Sequence, residues 1–231
     1  MPDDPVMLIT GASTGIGAAT ARLTADAGYR LVLASRSEER LRGVADDLGG
    51  GGSRVLAQPC DVSVWEDQVA LVDNALERFG RIDVAFANAG FGAKRGFLEE
   101  TPEHWRAMVD TNVLGAAYTI RAVLPHFRER DSGHFLLTSS VAGRRALPGS
   151  LYSATKWAVC GMGEALRQEV AATAIKVTLI EPGMVDTPFF DDPPSGALRA
   201  EDIARTVIFA LSQPAHVDVN EILVRPINQP L

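Results

Sequence analysis

The chain has 231 residues, 46% of them hydrophobic, which suits one α/β domain with a sizeable core. Twenty-nine acidic against twenty-two basic side chains give a formal net charge of −7, which argues against nucleic acid or an anionic membrane surface as partner. No stretch approaches transmembrane length, the first residues lack the basic and long apolar regions of a secretory signal, and Cys60 and Cys160 show no metal-ligand spacing. The expectation is a cytoplasmic protein with two buried, unpaired cysteines.

The apolar run from Pro5 to Thr10 breaks into Gly11-Ala12-Ser13-Thr14-Gly15-Ile16-Gly17, and a helical pattern follows over 18–27. This reads as strand, glycine-rich turn, helix. Three glycines let the backbone turn tightly and approach a pyrophosphate, and the free N–H groups at the helix start favour phosphate. The spacing is G-x-x-x-G-x-G rather than G-x-G-x-x-G, and an ordinary tight connection without a ligand would also use these glycines. The second run, Arg30 to Ala34, leads into Ser35 and Arg36, where an enzyme selecting NAD carries an acidic residue for the ribose hydroxyls. A guanidinium beside a hydroxyl suits a 2′-phosphate instead, the plain alternative being a solvated arginine. Arg40, one turn on, reads as surface.

Glycines 49–52 form a flexible connector, too short and too central for a domain boundary. The third run ends at Pro59, and Asp61-Val62 stand before a helical stretch at 64–79, where Asp61 is placed to cap. The fourth ends at Asn88-Ala89-Gly90, where Gly90 permits close backbone approach and Asn88 can hold the central strands together. Asn112 falls in a predicted helix, for which asparagine has mediocre propensity. Ser139-Ser140 end the fifth run, and a hydroxyl there can orient a substrate oxygen.

In the helical stretch 151–172, Tyr152 and Lys156 are four residues apart, which puts a phenol and an ammonium on one face. A nearby cation favours phenolate and lowers a pKa that starts near ~10, so the pair suits acid–base work near neutral pH. The sixth run ends at Glu181, and Pro182-Gly183 predicts a turn, with Val185 and Thr187 following on the same edge. Only 188–196 separates Thr187 from a helical pattern near Glu201, so the cover over a pocket there is short. Arg144 and Arg145 can attract a carboxylate and Asp191 and Asp192 discourage one, though each also reads as surface.

This β/α alternation predicts one doubly wound α/β domain over 1–231, a parallel sheet with helices on both faces and ligands beyond the carboxyl ends of its strands.

Thr10 through Gly17, Asn88-Ala89-Gly90, Asn112, Ser140, Tyr152, Lys156 and Pro182-Gly183 together resemble the short-chain dehydrogenase/reductase family, in its order and over nearly the whole chain. The resemblance implies a Rossmann domain with a mostly parallel seven-stranded sheet, its cofactor part roughly 1–110 and its catalytic part roughly 111–231. It implies an NADP(H)-dependent oxidoreductase that interconverts a carbonyl and a secondary alcohol, without a metal. The dinucleotide would be held by Gly11, Ser13, Thr14, Gly15, Ile16 and Gly17, with Ser35 and Arg36 at the 2′-phosphate. Asp61 and the Val62 N–H would meet the adenine. Asn88, Ala89 and Gly90 would border the cofactor, and Pro182, Gly183, Val185 and Thr187 the nicotinamide.

Tyr152 would transfer the proton, Ser140 would position the reacting oxygen, and Lys156 would tune the phenol and bind the ribose. The Asn112 main-chain carbonyl would fix a relay water. Two departures stand out. Ala87 replaces a common asparagine, and Ser140 lies twelve residues before Tyr152, one fewer than usual, so Ser139 takes the role if the strand end has shifted. Residues 213–220 resemble members that act on small hydroxy acids or β-hydroxy amino acids. The family's homodimers and tetramers form through two helices, here 114–130 and 151–172. The alternatives are an NAD-dependent alcohol dehydrogenase, decided by Arg36, and a cofactor-sensing protein on the same fold.

Overall fold

The computed structural model describes residues 4–49, 52–190, 192 and 195–229. Asp191 and part of the glycine connector lie outside the described residues.

Six strands, β1 (Val6–Thr10), β2 (Arg30–Ser35), β3 (Val55–Pro59), β4 (Val84–Ala87), β5 (Gly133–Thr138) and β6 (Ile175–Pro182), end within a residue of the predicted run ends. A two-stranded parallel ribbon of β7 (Val185–Asp186) and β8 (Leu198–Arg199) follows, and then β9 (Glu221–Val224). The main sheet has the order β3-β2-β1-β4-β5-β6-β9, with every pair parallel. The chain leaves β1 first toward β2 and β3, then returns to lay β4 on its other side. That reversal opens a crevice beyond the ends of β1 and β4.

Helices α1 (Gly15–Asp26), α2 (Glu38–Asp47), α3 (Trp65–Phe79), α4 (Pro102–Val109), α5 (Gly115–Arg130), α6 (Leu151–Glu169) and α7 (Ala200–Leu211) cover the sheet. Alternation along β1 shows how. Val6 and Leu8 join a core with Leu71 of α3, Val123 and Phe127 of α5 and Val159 of α6. Met7 and Ile9 point the other way, into a second core with Ala18 of α1, Leu41 of α2 and Val207 of α7. Apolar residues on both faces are what a doubly covered parallel strand requires.

The helix predicted around Asn112 is not regular. Asp110–Leu114 form a π turn between α4 and α5, with the Gly115 N–H reaching back to the Asp110 carbonyl. A wider turn rotates Asn112 inward, where it is buried, and such turns recur at functional sites. Cys60 and Cys160 are free and buried, and burial pushes their thiols up to about 12 and about 11. Among the described residues no helix is long and apolar enough to cross a membrane.

Candidate active site

A cleft of about 970 Å³ runs along the carboxyl edge of the sheet, and every predicted site residue except Gly17 and Asn112 lines it. Those two stand behind its wall. Gly11 and Gly15 have φ of 67° and 53°, in the left-handed region. A Cβ on Gly17 would lie 2.2 Å from the Gly11 carbonyl oxygen, so the turn is closed by direct backbone contact. Thr14 caps α1 with its backbone alone, and its side chain makes no cap hydrogen bond. The start of α1 thus faces the cleft through N–H groups, the arrangement that holds phosphate. Thr187 closes over this turn, its side chain 3.1 Å from where a Gly15 Cβ would sit.

At the outer end, Ser35 is buried and hydrogen-bonds the Ser37 carbonyl at 3.3 Å, while Arg36 is exposed. Asp61 accepts from the Ser63 N–H at 3.0 Å and hydroxyl at 2.7 Å. Burial alone would raise its carboxyl, but Ser63 and the Arg36 charge hold it below the usual range. The capping expected of Asp61 is therefore a local turn. The first turn of α3 instead presents Asp67, which accepts the Asp61 N–H at 2.8 Å.

Asn88 ties three strands. Its N–H donates to the Thr10 hydroxyl at 3.0 Å and its amide to the Thr10 carbonyl at 3.1 Å, and its carbonyl oxygen accepts from the Thr138 hydroxyl at 3.1 Å. Ala89 also donates to Thr10, at 3.2 Å. Gly90 is required by proximity, since a Cβ there would lie 3.0 Å from the Asn112 side-chain oxygen and 3.5 Å from Lys156 Nζ. The Asn112 side chain bonds both the N–H and the carbonyl of Phe91, at 3.0 and 2.9 Å, and donates to the Thr155 hydroxyl at 3.2 Å. It locks the β4 exit loop onto α6.

Lys156 is buried, its ammonium donating to the Thr138 carbonyl at 2.8 Å and standing 5.6 Å from the Tyr152 ring centroid. The two serines separate cleanly. Ser139 points away, bonding the Lys156 carbonyl at 3.0 Å and Cys160 Sγ at 3.0 Å. Ser140 faces the cleft, donates to the Pro182 carbonyl at 3.2 Å and meets the Tyr152 hydroxyl. The expected lowering of the phenol is reversed in the chain alone. Burial pushes Tyr152 up to about 12, against the Ser140 hydrogen bond, and pushes Lys156 down to about 8. The dry setting disfavours both charges more than a cation in the next turn can restore.

Several contributors had no distinct signal in the sequence. Thr138 and Thr155 read as ordinary strand and helix residues. Phe189 packs edge-on against the Tyr152 ring at 5.5 Å. Arg144, read as a solvated residue or one that attracts a substrate carboxylate, is exposed but spends its guanidinium on carboxylates of the protein itself. It donates to the fully buried Glu181 at 2.7 Å and pairs with Glu221, and Cys160 Sγ lies 3.3 Å from the same Glu181 oxygen. Only the burial of an acid immediately before Pro182, invisible in sequence, identifies that cluster.

Residues 5–195 match the family model described as short chain dehydrogenase. An uncharacterized oxidoreductase of Staphylococcus saprophyticus is 42% identical over 229 residues, covering 97% of this chain and 98% of that one. Among solved structures, an alcohol dehydrogenase from the archaeon Thermococcus sibiricus complexed with 5-hydroxy-NADP is 33% identical with a TM-score of 0.91, over 99% of both chains. A short chain dehydrogenase/reductase from Burkholderia phymatum in complex with NAD is 30% identical with a TM-score of 0.87, over 96% of this chain and 89% of that one.

Proposed function

The chain belongs to the short-chain dehydrogenase/reductase family, and we propose that it is an NADP(H)-dependent oxidoreductase interconverting a carbonyl and a secondary alcohol. The observation that carries this reading is one cleft holding Ser140, Tyr152 and Lys156 at one end and the glycine turn with Arg36 at the other. The residues fit a nicotinamide dinucleotide. The turn admits no Cβ at Gly17, and bare helix N–H groups beside Ser13, Thr14, Gly15 and Ile16 suit a pyrophosphate. Ser35 and Arg36 suit a 2′-phosphate, Asp61 and Val62 the adenine, and Pro182, Gly183, Val185 and Thr187 a carboxamide edge.

A nicotinamide dinucleotide held by these residues would supply the hydride chemistry at the substrate carbon. Ser140 holds the substrate oxygen by a hydrogen bond beside the phenol. Tyr152 gives that oxygen a proton in reduction and takes it back in oxidation. A phenol at about 12 holds its proton at neutral pH, and both giving it up in reduction and taking one back in oxidation need nearby positive charge to stabilise the phenolate against burial. Lys156, fixed on the Thr138 carbonyl at 2.8 Å, supplies that charge and would also bind the ribose hydroxyls. Asn112 holds the neighbouring loop through its side chain and would fix a relay water through its carbonyl.

NAD dependence is the second reading, favoured by the Burkholderia relative solved with NAD. A purely cofactor-sensing role has less support, because a sensor needs no buried phenol–ammonium pair. Scanning the purified protein for NADPH oxidation with varied carbonyls, and for NADP reduction with alcohols, tests the proposal. Cofactor binding with no hydride transfer on any substrate class would favour the sensor. Leu114 and Trp157, 40% and 50% exposed on the π turn and α6, support a homodimer or homotetramer. Sedimentation showing a monomer across a wide concentration range would exclude it.

A further inference from the structure

On the reading above, a carbonyl carbon must enter beside the Tyr152 hydroxyl, and the walls at that point are aromatic. Phe189 leans edge-on against the Tyr152 ring at 5.5 Å and against Phe190 at 5.1 Å. It crosses the cleft from the Thr187 loop to the loop after β4, where it rests on Gly92. A Cβ on Gly92 would come within 2.7 Å of the tip of the Phe189 ring. Both ends of this bridge are anchored. The N–H groups of Phe189 and Phe190 donate to the Thr187 hydroxyl and carbonyl at 3.4 and 3.1 Å. His104 Nε2 bonds the Gly92 carbonyl at 2.9 Å, its ring edge-on to Phe91.

The charges around this seat do not favour an anion. Arg144, four residues after Ser140 in the chain, is committed to Glu181 and Glu221. Glu100 lines the same cleft, and the N–H groups of Thr101 and Lys94 help hold its carboxyl below the usual range, so it is negative at neutral pH. Lys94 and Arg95 are exposed at the rim. A substrate carboxylate beside the carbonyl would lose water, meet rings and face Glu100, while the buried Lys156 ammonium is already committed to the Thr138 carbonyl at 2.8 Å.

We infer that the substrates are uncharged ketones, and the matching secondary alcohols, whose carbonyl carries an aryl or similarly planar apolar group, with Phe189 as the specificity-determining side chain. In reduction the carbonyl carbon gains a hydride from the reduced nicotinamide and the oxygen gains the Tyr152 proton. The C=O π bond is thereby replaced by one C–H and one O–H bond. The small hydroxy acids and β-hydroxy amino acids to which residues 213–220 point would be poor substrates.

The test uses acetophenone, butan-2-one and 3-oxobutanoate as carbonyl probes with NADPH, in wild type, Phe189→Ala and Gly92→Val. Binding of 1-phenylethanol in the presence of NADP is read separately by saturation-transfer NMR. Acetophenone should exceed 3-oxobutanoate in kcat/KM by about tenfold or more. An edge-on ring contact is the size of effect that makes the acetophenone to butan-2-one ratio fall about tenfold in Phe189→Ala. Gly92→Val, which displaces the ring without removing it, should move the ratio in the same direction. Ring-proton transfer from 1-phenylethanol should be present in wild type and lost in Phe189→Ala. A preference for 3-oxobutanoate, an unchanged ratio in Phe189→Ala, or no ring-proton transfer in wild type would overturn the inference. If the protein binds NADP but reduces no carbonyl, the oxidoreductase reading falls, while the NMR signal still decides the aromatic seat.

Discussion

The outer end of the cleft is made of backbone and one exposed guanidinium, whereas the inner end is made of polar side chains taken out of water. Gly11, Gly15 and Gly17 act by having no Cβ, and Arg36 stays solvated, so little free energy is stored there. At the inner end Lys156, Asn112, Ser139, Ser140 and Glu181 are all buried, and each has a partner. Burial there moves Tyr152 to about 12 and Lys156 to about 8. Recognition can be built from exposed groups with modest loss on mutation. Proton chemistry depends on shifted groups, and changing them should be felt far more strongly.

The largest expected difference is therefore at Tyr152. Tyr152→Phe keeps the ring against Phe189 and removes only the hydroxyl, so turnover should drop by ~10²–10⁴. NADPH affinity, followed by cofactor fluorescence, should stay near wild type. Comparable turnover in the two proteins would mean that the inner end does not transfer the proton.

At the outer end, Arg36→Ala should weaken NADP(H) by roughly ten- to a hundredfold, the worth of one or two charge-assisted hydrogen bonds. NAD(H) affinity should hardly move. Calorimetric titration of both cofactors separates the outcomes. Equal losses would give Arg36 a role in the fold or at the pyrophosphate, and an NADH preference in wild type would promote the NAD-dependent reading.

The two ends also differ in how they were legible. The glycine turn and the strand ends could be read because backbone geometry demands glycine and because parallel strands are apolar runs that stop at turn residues. Tyr152 and Lys156 could be read because a helix makes i and i+4 neighbours. The π turn at Asn112 could not, since a continuous helical pattern carries no mark of one wider turn. Neither could the Arg144–Glu181 pair, whose members are 37 residues apart and join only when β6 lies beside the serine loop. The phenol's pKa failed for a related reason: a neighbouring cation is visible in sequence, but the surrounding burial is not. Strand β9 has only four residues with alternating exposure, too short for its pattern to stand out.

The Lys156 shift can be read directly as pH-dependent stability. Its folded value of about 8 lies below the ordinary 10.5, so between those values the unfolded chain binds a proton that the folded chain has lost. Stability should rise with pH across that window, by up to about 2 kcal/mol near pH 10. Tyr152 acts oppositely above pH 10, because its phenol, raised from 10.0 to about 12, ionises first in the unfolded chain. Denaturant unfolding of wild type and Lys156→Met at pH 8 and pH 10 isolates the effect. A rise in wild type that is absent in the variant is expected, and identical pH profiles would show that Lys156 is effectively hydrated.

The smallest effect sharpens the comparison within the inner end itself, between two adjacent hydroxyls. Ser139 bonds the Lys156 carbonyl and Cys160 from a fully buried position, while Ser140 meets the Tyr152 hydroxyl in the cleft. Ser139→Ala should reduce stability by about 1 kcal/mol, the net value of one buried hydrogen bond, with turnover close to wild type. Ser140→Ala should lower turnover by about tenfold, the loss of one hydrogen bond to the reacting oxygen. Paired measurements of unfolding free energy and kcat on the two variants decide the register. If Ser139 proves the serine needed for turnover, the strand end has shifted by one residue in solution, and Ser140 is the packing neighbour.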